Sequence, residues 1–100
     1  MKIKKELLPR QTIEAFAEEH DLTMVVCERP HWSQHPQFYA SFDRAEVGVN
    51  GTLRGVYGNG GTHEEAVAAY GPEISEQLLV IDARGSNRRE IRVPIIVAEH

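Results

Sequence analysis

The dipeptide Asn50-Gly51 constrains the fold of this chain more than any other short segment. It joins two stretches of β-forming residues, AEVGV before it and TLRGVYG after it. Both central residues of a type I′ turn need a positive φ, and Asn followed by Gly meets this need well. The sequence therefore predicts a β-hairpin here, with antiparallel strands on either side of the turn.

Four other parts of the chain are typical of β-strands. Residues 22–28 are rich in β-forming side chains, and residues 37–44 alternate apolar with polar ones. Near the C-terminus, LLVIDA predicts a buried strand, and REIRVPIIV predicts a final strand that pairs back to it. Pro94 in that final strand favours a position at the edge of the sheet.

Two helices are predicted around these strands. Thr12 can cap a helix over residues 12–20, whose apolar side chains recur at helical spacing. Thr62 and Glu65 have the spacing of a capping box, which predicts a second helix over about residues 63–76. The Gly-Pro dipeptide inside the second helix should kink or interrupt it.

The predicted order of elements is α-β-β-β-α-β-β. It indicates an α+β fold, in which an antiparallel sheet of about four to five strands carries two helices on one face. The 100 residues predict a single domain over 1–100, with residues 1–10 as a flexible arm or an edge strand. The single cysteine, the lack of a signal peptide and the lack of a membrane-spanning stretch are typical of a cytoplasmic protein.

The charge is spread unevenly along the chain. Residues 1–10 carry four basic and one acidic side chain, residues 11–76 carry three and eleven, and residues 77–100 carry four and three. The three net charges, +3, −8 and +1, sum to the overall −4. An acidic middle disfavours a general nucleic-acid binder, because phosphate neutralisation supplies most of that affinity.

The segment GNGGTHEEA, residues 58–66, resembles the G-x-G-x-S-K-K-x-A that opens the second helix of double-stranded RNA-binding domains. The segment ERPHWSQHPQF is similar to that family's loop with Pro and His, followed by a strand that begins with Phe. The resemblance covers about residues 12–70 and implies an α-β-β-β-α core. The family's phosphate-contacting lysines are replaced by His63 and Glu64, and its next basic residue by Val67.

Most of the chain is also similar to small uncharacterised phage and prophage proteins. The segments FYASF, VYGNGGTHEEAVAAY, LLVIDA and NRREIRVP carry this resemblance. It implies an accessory viral protein that binds a host protein in the cytoplasm of a bacterial host. Some accessory proteins of this kind inhibit host defence systems such as CRISPR complexes. It assigns a role to no residue.

The glycine-rich turn over residues 58–62 has two interpretations. The free N–H groups of a helix N-terminus can hold an anion. The turn lacks the spacing and the lysine of a phosphate-binding P-loop, and Glu64 and Glu65 already place negative charge at the helix start. We therefore interpret it as a capped strand-to-helix corner.

Cys27, His31 and His35 are spaced as C-x3-H-x3-H and are potential zinc ligands, with His20 as a candidate fourth. The prolines beside the histidines, Pro30 and Pro36, exclude a helix that would place both histidines on one face. We expect a strand thiol and loop histidines, and no metal or cofactor.

The loop over residues 29–36 holds the only tryptophan, Trp32, which either is exposed or folds back over the core. Trp, Tyr and Arg dominate binding hot spots. The predicted protein-binding residues are Trp32, Arg29, His31, His35, Tyr39, Glu64 and Glu65.

Four arginines, Arg84, Arg88, Arg89 and Arg92, surround the last hairpin. They fit a phosphate-contacting patch, or charges that keep an edge strand from pairing with other chains, and we favour the second.

These features predict a small, acidic, non-enzymatic module that binds a protein partner and no membrane. The alternative is a nucleic-acid-binding protein that uses the C-terminal arginines with Lys2, Lys4 and Lys5. A homodimer is left open.

Overall fold

The computed structural model describes residues 10–32 and 36–97. These residues form an α+β fold with two helices, as the sequence predicts. The elements in chain order are β1 Arg10–Thr12, α1 Ile13–Glu19, β2 Met24–Glu28, β3 Phe38–Phe42, β4 Ala45–Val49, β5 Thr52–Arg54, β6 Gly58–Gly60, α2 His63–Ile74, β7 Leu78–Ile81, β8 Arg89–Arg92 and β9 Ile95–Val97. Apart from Arg10, the predicted N-terminal arm or edge strand lies outside the described residues.

The strands are mostly antiparallel, but they divide among three sheets where one was expected. One sheet has the order β2-β3-β6 and a second has the order β5-β4-β7-β8. The two are joined at Asp43-Arg44, where Arg44 has a φ of 60°. This link does not close a hairpin, because β3 pairs with β2 and β6 while β4 pairs with β5 and β7. A short parallel pair of β1 and β9 forms the third sheet.

The predicted hairpin at Asn50-Gly51 is present. Asn50 has a φ of 50° and Gly51 a φ of 80°, and Val49 lies opposite Thr52 across the turn. Both residues therefore adopt the positive φ that a type I′ turn requires.

The predicted final strand over REIRVPIIV is divided into two strands. The first part, β8, pairs back to β7 as expected. The Val93 N–H donates to the Gln77 carbonyl at 2.9 Å, and the next residue, Pro94, has no N–H to continue the ladder. The chain leaves the sheet there and continues as β9, which pairs with β1 in parallel.

Both helices begin at the predicted caps. The Thr12 hydroxyl accepts from the Ala15 N–H at 3.2 Å, and the Thr62 hydroxyl accepts from the Glu65 N–H at 3.1 Å. The Gly-Pro dipeptide does not interrupt α2. Pro72 lies inside its last turn, and the helix ends at Ile74.

One apolar core connects the helices with the two larger sheets. Its buried members are Ile13, Phe16, Phe42, Val47, Tyr70, Ile74, Leu79, Ile81 and Val93. Phe42 is the junction between the elements, since its ring lies 6.0 Å from the ring of Phe16 in α1 and 5.4 Å from that of Tyr70 in α2.

The strand β6 lies in the glycine-rich segment for which the sequence predicts only a turn. Gly58 and Gly60 are buried beneath α2, and a Cβ on either would meet the backbone of that helix at Ala66. Glycine is therefore required for close contact between strand and helix, and not for an unusual φ. With this strand, α1, β2, β3, β6 and α2 follow the order α-β-β-β-α, into which the hairpin of β4 and β5 is inserted.

Candidate protein-binding surface

The sheet β2-β3-β6 has an inner face, which α2 covers, and an opposite outer face. Paired residues share a face, and side chains alternate along each strand. Ala40 and Phe42 of β3 are buried on the inner face, where Ala40 lies opposite Val26 and Gly58. The alternate residues of the same strands therefore point to the outer face.

Seven side chains form this outer face. They come from the three strands and the residues next to them: Val25, Cys27, Arg29, Tyr39, Ser41, Tyr57 and Asn59. Val25 is 37% exposed and Tyr57 49%. An exposed surface with two tyrosines, a valine and a single charge is unusual enough to mark a contact site.

Arg29 is held in place on the outer face by three kinds of contact. Its guanidinium donates to the Pro36 carbonyl at 2.7 Å and to the Asn59 side-chain oxygen at 2.8 Å. The same group lies 4.5 Å from the centre of the Tyr39 ring. The arginine thus ties the loop after β2 to the middle strand and to β6 across the sheet.

Tyr39 is the centre of the aromatic part of the outer face. Its ring meets the Tyr57 ring edge-on at a centroid distance of 5.6 Å, an arrangement favoured by aromatic quadrupoles. Cys27 lies opposite Tyr39 on β2, and interaction with the Cys27 side chain raises the pKa of Tyr39 above its ordinary value.

Trp32 lies in the loop that Arg29 anchors, and 84% of the residue is exposed. Of the two interpretations of this residue, the exposed one is confirmed. His31 beside it is also exposed, whereas His35 lies outside the described residues.

The turn over residues 58–62 is arranged as a capped corner. Glu65 bends back so that its carboxylate accepts from the Gly61 N–H at 3.1 Å, while its own N–H donates to Thr62. The carboxylate therefore occupies the position that an anion would take at this helix start. Glu64 is exposed one residue earlier and adds a second negative charge.

The four arginines do not form one patch. Arg88 is paired with Glu90 at 3.0 Å, and Arg89 donates to the His20 carbonyl at 2.7 Å. Arg89 and Arg92 point to opposite faces of β8, because they are three positions apart along a strand in which side chains alternate. Arg84 lies in the turn before this strand and lines a different cleft, beside Tyr57 and Asp82.

Among the described residues, no group of three or more His, Cys, Asp or Glu side chains is placed to hold a metal ion. Cys27 faces Tyr39 on the outer face, whereas His20 packs against Phe16 at a centroid distance of 4.6 Å. Cys27 and His20 are therefore on different faces of the molecule. Within the same residues, no helix has the length and apolarity that crossing a membrane requires.

A cavity of about 730 Å³ opens elsewhere, between the end of α1 and the β8–β9 connection. Its lining mixes Glu19, Glu76 and Arg92 with apolar side chains, and of the predicted site residues only Arg92 belongs to it. Arg92 reaches the Glu76 carbonyl at 3.5 Å. The cavity and the outer face are therefore formed by different residues.

The sequence indicated Arg29, Trp32 and Tyr39 as binding residues, but it missed Val25 and Asn59. The strand pairings reveal both, since Val25 lies opposite Ser41 and Asn59 opposite Tyr39. The first pairing follows from the alternation along neighbouring strands. The second requires knowing that a glycine-rich segment forms the third strand of this sheet.

Comparison with models of protein families, with curated proteins and with solved structures found no match to the chain. These comparisons give no support to the resemblance to double-stranded RNA-binding domains, and the structure shows an α+β fold with two helices and mostly antiparallel strands. The similarity to phage proteins has no support from these comparisons.

Proposed function

We propose that this protein is a non-enzymatic binding module that contacts a protein partner through the outer face and Trp32. The observation that carries the proposal is the continuous group of half-buried Arg29, half-buried Tyr39 and exposed Tyr57 on the sheet face opposite α2. Aromatic residues and arginine supply most of the binding energy in protein interfaces. Three of the four exposed large hydrophobic residues in the described chain, Val25, Trp32 and Tyr57, lie on this surface or in its loop.

The side chains of this surface are already ordered before a partner binds, and this favours binding. Arg29 and Tyr39 are already held by contacts within the chain, so a partner need not immobilise them. Strand residues also keep their position better than loop residues. Binding therefore carries a smaller entropy cost than it would on a flexible surface.

The surface chemistry favours a partner with an apolar patch. Arg29 is the only charged side chain of the outer face, and its guanidinium is already occupied by two oxygens and a ring. Electrostatic attraction therefore contributes little at its centre. The acidic remainder of the chain adds long-range attraction to a basic rim on the partner. A host protein bound by a phage accessory protein, including a component of a host defence complex, is one partner of this kind.

The alternative of nucleic-acid binding has weaker support. Arg88, Arg89 and Arg92 are engaged with groups of the chain itself and point in different directions. At the start of α2, Glu64 and Glu65 would repel a phosphate backbone. The lysines of this alternative lie outside the described residues.

The test is co-purification of the full chain with proteins of a bacterial host, at low and at high salt. We expect one protein to be recovered by the wild type and lost with Trp32→Ala or Tyr57→Ala. Its recovery should fall only modestly with salt, because salt screens the attraction at the rim but not the apolar contact at the centre. Arg88→Ala is the matched control, since it removes an exposed large side chain away from the outer face.

Two results would count against the proposal. One is recovery of the same protein by every variant, which would remove the outer face from the interface. The other is tight binding of duplex RNA or DNA that weakens steeply with salt and is abolished by Arg88→Ala, which would favour the alternative.

A further inference from the structure

The strand β2 has one edge that no other strand of the described chain uses. In the order β2-β3-β6 it is the outermost strand, and the elements that pack most closely against it are β3 and α2. The helix covers the inner face of the sheet, so no strand of residues 10–32 and 36–97 pairs with this edge. An open strand edge can pair with another strand.

The hydrogen bonds at both ends of β2 show which backbone groups face that edge. The Asp43 N–H donates to the Thr23 carbonyl at 2.8 Å, and the Arg29 N–H donates to the Gln37 carbonyl at 2.6 Å. The odd-numbered residues of β2 therefore direct their backbone groups toward β3. Because direction alternates along a strand, the even-numbered residues Met24, Val26 and Glu28 direct theirs outward.

These three residues are arranged symmetrically about Val26. If a second copy of β2 runs antiparallel with Val26 opposite Val26 of the partner subunit, Met24 faces Glu28 of the partner subunit. Each outward N–H then meets an outward carbonyl, which satisfies all of the outward groups at once. This self-complementarity is what a twofold axis through the centre of the strand requires.

The side chains permit the same register. Each Glu28 would lie opposite Met24 of the partner subunit. The two Glu28 residues would be four positions apart along the strand direction, which corresponds to about 14 Å. That distance exceeds the screening length of about 8 Å at physiological salt, so the two carboxylates repel each other weakly. On the outer face, Val25 would lie opposite Cys27 of the partner subunit.

The other edge strands of the two larger sheets carry features that oppose such pairing. The edge strand β8 bears Arg89 and Arg92, and β5 has three residues and ends at Arg54. The β6 edge is also three residues long. In contrast, β2 has five residues with no lysine, arginine, proline or glycine, and Val25 is exposed on it.

We propose that two copies of this chain associate through β2, forming a continuous six-stranded antiparallel sheet with the order β6-β3-β2-β2-β3-β6. The proposal uses the backbone edge of β2, so it does not depend on a protein partner for the outer face. The sheet would place two outer faces side by side on one surface.

The test is sedimentation of the full chain over a series of protein concentrations. We expect the wild type to be dimeric at the higher concentrations and monomeric on dilution. Val25→Lys should weaken the association about tenfold or more, because it places like charges close together across the axis. Val49→Lys is the matched control, since Val49 is a similarly exposed strand valine away from this edge, and it should dimerise as the wild type does.

Two further variants test whether the outward backbone N–H groups of β2 form the contact between the two copies. Glu28→Pro removes one outward N–H and should also weaken the dimer, whereas Glu28→Ala keeps that N–H and should not. Both variants lose the side-chain hydrogen bond between Glu28 and Gln37, so the difference between them lies in the backbone of residue 28. Unchanged far-ultraviolet circular dichroism confirms that each variant is folded.

A cross-linking experiment tests the register directly. Val25→Cys places a thiol opposite Cys27 of the partner subunit, at a separation that a disulfide accepts. Mild oxidation should give a covalent dimer with this variant and not with Thr52→Cys on β5. A chain that stays monomeric at every concentration would overturn the proposal. So would a dimer that neither Val25→Lys nor Glu28→Pro weakens.

Discussion

The guanidinium of Arg29 lies 4.5 Å from the centre of the Tyr39 ring, on the face of the sheet opposite α2. This contact joins the end of β2 to the middle of β3. Because the same guanidinium also binds the Pro36 carbonyl and the Asn59 side chain, it fixes the loop and the outer face with respect to each other. The four predictions below start from this surface and from the packing beneath it.

The first prediction concerns Arg29 itself. Arg29→Lys keeps the charge but loses the planar group that binds two oxygens and stacks on a ring. We expect the free energy of unfolding to fall by about 1 kcal/mol, because the contacts are partly exposed. Urea denaturation measures this, and Arg54→Lys on the exposed strand β5 should have no such effect. Equal effects at both positions would mean that the Arg29 contacts contribute nothing.

The second prediction tests the contact between β6 and α2. Gly58→Ala would place a Cβ against the Ala66 carbonyl and the Tyr70 backbone, neither of which can rotate away. We expect a loss of about 2–3 kcal/mol in the free energy of unfolding, as for other overpacked sites.

Gly61→Ala is the matched control for this variant. A Cβ at Gly61 would lie 3.6 Å from the Glu65 side chain, which is an ordinary contact. Thermal melting of the two variants should therefore differ by several degrees. Similar melting temperatures would show that the helix can move away from the strand.

The third prediction concerns Tyr70, whose hydroxyl is fully buried beside the Phe42 backbone. Within the described chain it makes no hydrogen bond of good geometry. Tyr70→Phe removes this unpaired polar group and keeps the ring, so we expect stability at neutral pH to rise by about 1 kcal/mol. Tyr57→Phe, on an exposed ring, should leave stability unchanged.

The same residue should make stability depend on pH in alkaline solution. Burial raises the pKa of Tyr70 from 10.0 to about 12. Between these values the unfolded chain loses the proton and the folded chain keeps it, so wild-type stability falls as pH rises. The advantage of Tyr70→Phe should grow there by about 2–3 kcal/mol, at about 1.4 kcal/mol per pH unit. A constant difference between the two proteins from pH 9 to pH 12 would contradict this account.

Local features of the sequence predicted the turns and helix starts well. Asn50-Gly51 and the two threonine caps act through neighbouring residues, and each has the expected geometry. The exposure of Trp32 also agrees with its position in a Pro-containing loop.

The features that local patterns missed depend on contacts between distant residues. Gly58 and Gly60 have little β propensity, and they form a strand because α2 packs directly on them. One continuous edge strand was expected through Pro94, but the strand ends there, and the partner of the following strand is β1, far away in sequence. Likewise, only the pairing of β2 and β6 with β3 brings Val25 and Asn59 onto one face with Tyr39.

The fourth prediction tests the central claim, that the outer face is the surface which contacts a protein partner. A photo-crosslinking amino acid is placed at Tyr57 on the outer face or, as a control, at exposed Glu73 on α2, and the full chain is irradiated in host cells. We expect one protein to be cross-linked from position 57, to be absent from position 73, and to disappear when Trp32→Ala is added. Cross-links to that protein from position 73 alone, or to nucleic acid alone, would contradict the claim.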